Sequence, residues 1–192
     1  MREAKLKRET LETNIMMELS LDGDGTISID TELGFLNHML KAMAFYAGFN
    51  LELKCIGDLE VDSHHTVEDI GIVLGSLFKE AIGDRKGIQR FSSTITPMDE
   101  SLAMVVIDIS NRPYLVENLK FDNPTIGNMA TDDFKEFFRA FAYNAGITLH
   151  IDILRGENDH HKIEAIFKGL GRALKEAIII TNDEVVSTKG VL

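Results

Sequence analysis

Apolar positions recur along the chain in two rhythms. From Thr13 to Leu21 and from Ser101 to Ile109 they alternate or form short β-rich runs, which predicts strands. Each is followed by a turn, Asp22-Gly23-Asp24-Gly25 or Ser110-Asn111-Arg112-Pro113. Leu33 to Ala47 and Thr131 to Ala145 carry the three-and-four spacing of helices, and each stops at a glycine, Gly48 or Gly146. Asn50 to Ile56 and Ile147 to Leu154 return to strand character. Segments beginning at His64 and His160 then open helices that run to about Ile82 and Ile178.

The two sets of elements are copies. HHTVEDIGIVLGSLFKEAI from His64 and HHKIEAIFKGLGRALKEAI from His160 match without a gap, with ten of 19 positions identical, including both histidines, the glutamate and Gly75/Gly171. Unrelated amphipathic helices share leucines and alanines by chance, but not two aligned His-His-x-x-Glu clusters. Upstream, NHMLKAMAFYAGFNLEL from Asn37 aligns with KEFFRAFAYNAGITLHI from Lys135, which pairs His38 with Glu136. The expected class is α+β, an internal duplication of a β-β-β-α-β-α half. Two helices cover one face of each small sheet, and the halves (1–87 and 88–192) face each other across a pseudo-twofold axis as one functional unit.

Composition narrows the function. A chain of 192 residues with 44% apolar and 27% charged residues can bury a substantial core without covalent support. The net charge of −11 argues against nucleic-acid and anionic-membrane partners, so any phosphate site must be a local cationic pocket. Cys55 is the only cysteine, which excludes an intrachain disulfide and a thiolate metal cage. Runs such as Leu102 to Ile107 are too short to span a bilayer, and MREAKLKRETLET contains no apolar signal segment, so a cytoplasmic location is expected.

Five of the six histidines fall at His38, His64, His65, His160 and His161. On a helix, His64 with Glu68 and His160 with Glu164 share a face and can grip one ion each. His65 and His161 are rotated by about 100° and would serve a different ion. Duplication then suggests a crossed arrangement, with His64, Glu68 and His161 on one metal and His160, Glu164 and His65 on the other. His38 would complete one set and Glu136 the other. A lone His-x-x-x-Glu pair is usually a surface pair; two aligned copies point to metal. Imidazole and carboxylate donors without thiolate suit Mn²⁺ or Fe²⁺, with Zn²⁺ also open. His150 alternates within a strand and reads as structural, and Arg85 and Lys86 read as solvated surface cations.

The motifs RETLET, GFLNHML, DSHHTVEDIGIVLG, GDRKGIQRF, PMDESLA, RPYL, NAGITLHI, GENDHHKIEAIFK and STKGVL together resemble the imidazoleglycerol-phosphate dehydratase family over nearly the whole chain. The resemblance implies a ribosomal-protein-S5-domain-2-like fold and two manganese ions per subunit, one held by His38, His65, His160 and Glu164, the other by His64, Glu68, Glu136 and His161. It also implies that the ligands come from more than one subunit of a shell of twenty-four. By family position Arg90, Arg112, Lys168, Ser187 and Lys189 would hold phosphate, and Glu12 would carry a proton. With Tyr46, His38, His64, Glu68 and His160 these would contact the substrate, and Glu12, Glu68 and Glu164 would form the catalytic set. Lys168 stands one helical turn beyond Glu164, so one face could read metal and phosphate.

Several positions depart from the commoner family pattern. Glu136 and Tyr46 stand where histidine is usual, Asn111 replaces a turn glycine, and Asn37 and Ser63 replace aspartates. The leading expectation is a dehydratase that removes water from D-erythro-imidazoleglycerol phosphate in histidine biosynthesis. A non-catalytic metal-binding homologue that keeps the assembly, and a dinuclear phosphohydrolase, stay open at this level.

Overall fold

The computed structural model describes residues 1–192. Its first half runs β1 (Glu3–Glu9), β2 (Thr13–Ser20), β3 (Ile27–Asp30), α1 (Gly34–Ala47), β4 (Asn50–Gly57) and α2 (His64–Ile82). The second runs β5 (Phe91–Met98), β6 (Ser101–Asp108), β7 (Tyr114–Asn118), a small hairpin of β8 (Thr125–Ile126) and β9 (Met129–Ala130), α3 (Asp133–Ala145), β10 (Thr148–Arg155) and α4 (Asp159–Ala177). The strand orders are β1-β2-β4-β3 and β5-β6-β10-β7, the same permutation twice. In each sheet only the last pair is parallel.

The duplication expected from the His-His segments is therefore realised in topology. The β8–β9 hairpin is an addition to the expected β-β-β-α-β-α plan of the second half. The first half passes from β3 to α1 through Thr31–Leu33, whereas residues 119–132 separate β7 from α3. That longer connection satisfies its backbone groups by pairing with itself, and the Thr131 N–H donates to the Pro124 carbonyl at 3.0 Å.

Alternation decides which sheet face is buried. Ile15, Met17 and Leu19 of β2 point inward with Leu51, Leu53 and Cys55 of β4; Ala103, Val105 and Ile107 of β6 do so with Leu149 and Ile151 of β10. The helices lie on those faces and also cross between halves, α2 along α3 and α1 along α4. One continuous cluster of 50 buried hydrophobic residues results. On α3 the stripe Phe134, Phe137, Phe138 and Phe141 fills the interior, and Phe167 of α4 meets three of these rings at centroid distances of 5.2–6.0 Å.

The repeated glycines mark the crossings. A Cβ on Gly75 would lie 2.6 Å from the Phe141 carbonyl oxygen of α3, and one on Gly171 would lie 2.3 Å from the Met43 carbonyl oxygen of α1. Backbone touches backbone at both places, so no larger residue fits without moving a helix.

One surface assignment needs correction. Arg85, expected to be solvated, is only 6% exposed, and its guanidinium reaches Asn111 Oδ1 at 3.5 Å. It follows α2 with φ 61°, which turns the side chain inward between the halves, and burial holds its pKa below the ordinary arginine value. Lys86 is exposed as expected.

Two outcomes follow from this packing. Gly171→Ala is expected to lower stability by about 1–3 kcal/mol in denaturant melts, while Gly34→Ala, where a Cβ meets nothing within 4 Å, leaves it unchanged or slightly raised. Cys55, which burial pushes up to about 12, should resist thiol reagents in the native protein and react only on unfolding.

Candidate metal centre

Helices α1 and α4 run side by side, and their first two turns carry His38, His160 and Glu164 to one point. The donor atoms of the three lie within 4.8 Å of one another. Glu164 Oε2 is 3.1 Å from His160 Nε2 and 3.5 Å from His38 Nε2. Separations of about 3 Å match the edge of an octahedron around an ion with ligands at about 2.1 Å, so this donor set fits a divalent first-row metal. The Phe35 ring stands edge-on to His160 at 4.9 Å and restricts its orientation. Glu164 is 9% exposed at its side chain and pairs with Lys168 Nζ at 2.7 Å. Burial opposes its charge, but Lys168, with His38 and His160, outweighs that and draws the carboxyl below the usual range.

The related cluster lies between α2 and α3. His64 Nε2 is 4.0 Å from Glu68 Oε2, and the His64 Nδ1 faces Asp133 Oδ1 at 3.6 Å. Glu136 enters from α3, and the Arg139 guanidinium joins it to Glu68, donating to Glu68 Oε1 at 3.3 Å and to Glu136 Oε2. One cation thus bridges two carboxylates that are each about a third exposed, and His64 stands beside Glu68. Within one chain, three donors this close together occur only in the α1–α4 set.

His65 and His161 occupy a different setting, as the rotation along each helix requires. His65 Nδ1 bonds to Asp58 Oδ2 at 2.9 Å, and its Nε2 is 3.8 Å from Glu12 Oε1. His161 Nδ1 bonds to Glu100 Oε2 at 2.7 Å. Those hydrogen bonds raise the pKa of both imidazoles, and Glu100 is held far below the carboxylate range by the Asn158 N–H and by His161. Neither histidine joins the His38–His160–Glu164 group within the chain. Glu12 sits in the β1–β2 turn with a 53% exposed side chain. Its counterpart in the β5–β6 turn is Glu100, since Thr13 and Ser101 open the corresponding strands. The match between those strands would have revealed Glu100 from sequence; Asp58, Asp133 and Arg139 carry no such signal.

The expected phosphate-binding residues divide into two places. Arg90 donates to Asp108 through Nε at 2.7 Å and Nη2 at 3.1 Å, and through Nη1 to the Val186 carbonyl at 2.6 Å. Arg112 reaches the same Asp108 at 3.1 Å. Arg90 thus reaches the terminal segment that carries Ser187 and Lys189, and Arg112 joins it only through Asp108. Lys168 stays with Glu164, with its Nζ 5.9 Å from the Tyr46 ring centre. His150 lies in β10 between Val106 and Val116, in keeping with a structural role.

A duplicated α+β chain that gathers imidazoles and carboxylates between helices of opposite halves has the build of a metal-dependent enzyme. Comparison with known proteins specifies which. The sequence model of the imidazoleglycerol-phosphate dehydratase family matches residues 31–174. The enzyme of that name from Clostridioides difficile (strain 630) is 59% identical over 192 residues, all of both chains. That from Caldanaerobacter subterraneus subsp. tengcongensis is 53% identical over 194 aligned positions, again with full coverage of both. The crystal structure of the Staphylococcus aureus dehydratase superposes with a TM-score of 0.85 at 43% identity, covering 93% of this chain and 99% of that one. The Pyrococcus furiosus structure gives 0.85 at 41%, covering 97% and 100%. The chain belongs to the imidazoleglycerol-phosphate dehydratase family, and it is an enzyme of the hydro-lyase class.

Substitution tests the centre directly. Glu164→Gln and His38→Ala should each lower the divalent metal retained per chain after gel filtration, measured by elemental analysis. Lys5→Ala, an exposed residue of β1 paired with Glu18, should not.

Proposed function

We propose that this enzyme removes water from D-erythro-imidazoleglycerol phosphate to give imidazole acetol phosphate, a step of histidine biosynthesis, and that two divalent ions per subunit, preferably Mn²⁺, take part. The observation that carries this reading is the meeting of His38, His160 and Glu164 within 4.8 Å in a member of this family. In the same reading His65 completes that ligand set, and Glu68, Glu136, His64 and His161 form the other. His65 and His161 stand apart from the three-residue group within one chain, which supports completion of each set by other subunits of a homo-oligomer, expected to number twenty-four. The halves 1–87 and 88–192 act as one unit in a cytoplasmic protein.

The substrate sets the chemical difficulty. No carbonyl lies beside the hydrogen that must leave, so a base acting alone would be slow, and the imidazole ring must supply electrons as the hydroxyl departs. Bound metal would supply Lewis acidity at the ring nitrogens, which lowers their pKa. The chain's own groups do the rest. Glu12, exposed in its turn beside His65, would hold and move the proton at the side-chain carbon. Arg90, joined to Asp108 and to the Val186 carbonyl beside Ser187, and Arg112, on the same Asp108, would supply cations for the phosphate on an otherwise acidic protein. Lys168 lies between Glu164 and Tyr46, so a substrate that spans from metal ligands to phosphate contacts can be read along α4.

Purified protein with Mn²⁺ and substrate should form the ketone, followed by the absorbance of its enolate in alkali. Chelation should abolish the signal and Mn²⁺ restore it. Release of inorganic phosphate instead, or no product with metal occupied, would overturn the reading. Glu12→Gln should lower kcat by about 10²–10⁴ while metal content stays that of the parent protein.

A further inference from the structure

Ser63 stands at the N-cap of α2 but does not cap it. Asp62 serves instead, its Oδ1 accepting from the His64 N–H at 2.8 Å. The Ser63 hydroxyl accepts from the Ala130 N–H at 3.3 Å and donates to Asp133 Oδ2. A hydroxyl has a single proton, so this pair of bonds commits it to the carboxylate. Asp133 lies in the first turn of α3 with a side chain only 7% exposed, and no lysine or arginine pairs with it. Its second oxygen, Oδ1, faces His64 Nδ1 at 3.6 Å, while the opposite ring nitrogen faces Glu68. A carboxylate taken out of water needs partners for both oxygens; Ser63 bonds one, and the His64 imidazole, 3.6 Å away, is the only basic side chain within 4 Å of the other.

We infer that Asp133 is a positioning residue for His64: it retains the proton on Nδ1, so that the Nε2 lone pair is presented beside Glu68 as a metal donor. The inference rests on the proposed role of His64 as a ligand and adds the residue that orients it. The same logic recurs at His65 with Asp58 and at His161 with Glu100, where Nδ1 meets a carboxylate oxygen at 2.9 and 2.7 Å. The repeat explains why Asp133 has no twin. Its counterpart is Phe35, which also abuts the first histidine of a pair, His160, but by a ring edge. One position in the duplicated plan thus orients His64 by charge and His160 by packing, so the two metal sites differ in ligand basicity.

A Mn²⁺ titration of the assembled enzyme, with free ion counted by electron paramagnetic resonance, tests this. His64→Ala should abolish tight binding of one of the two ions. Asp133→Ala should weaken that same ion by about 10–100-fold, and Asp133→Asn, which keeps shape and an acceptor but loses the charge, by about 3–10-fold. The other ion should bind as in the parent, and circular dichroism should be unaltered. Parent-like binding by either Asp133 variant, or equal loss at both ions, overturns the positioning role. Parent-like binding by His64→Ala overturns instead the reading of His64 as a ligand. Should Asp133→Ala fail to assemble, the Asn variant decides.

Discussion

Two helix crossings without side chains between them set the rest of the molecule in place. At Gly171 against Met43 and at Gly75 against Phe141, backbone atoms approach more closely than any Cβ permits. Each crossing joins a helix of one half to a helix of the other. The imidazoles and carboxylates in the first two turns of those helices are thereby brought across from their partners. His38 meets Glu164 because α1 and α4 are held this near, and Glu136 nears Glu68 because α2 and α3 are. Dispersion and burial in the shared core maintain the contact, and the ligand geometry inherits its rigidity from it.

Charge is the second constraint. Carboxylates crowded at a helix junction repel one another and lose hydration, so each must be balanced. The protein balances them locally with Lys168 on Glu164 and with Arg139 across Glu68 and Glu136. An excess of acidic residues over the whole surface therefore coexists with a site whose charges are compensated residue by residue.

Departures from the commoner family pattern make sense in this setting. Glu136 in place of histidine adds a negative charge, and Arg139, one turn away on α3, absorbs it. Ser63 in place of aspartate removes a carboxylate from α2, while Asp133 supplies one from α3 to the same histidine. Asn111, in place of a turn glycine, adopts φ 56° and is met by the buried Arg85. Tyr46 in place of histidine faces Lys168, with no further account of it in the structure.

Much was legible in the chain itself. Periodicity located the four helices and the strands β2, β4, β6 and β10 to within a residue or two, because a buried face must recur every second residue in a strand and every third or fourth in a helix; the other strands of each half were expected without bounds. The aligned His-His-x-x-Glu segments disclosed the duplication and singled out candidate metal ligands, since identical chemistry at identical helical phase is a local property. Pairing between halves was not local. Which helix crosses which depends on packing of surfaces distant in sequence, and only the folded chain decided that His38, His160 and Glu164 converge while His65 turns toward Asp58. The roles of Asp133, Glu100 and Arg139, and the burial of Arg85, likewise came from tertiary structure, because an isolated acidic or basic residue carries no record in sequence of the partner that will neutralise it.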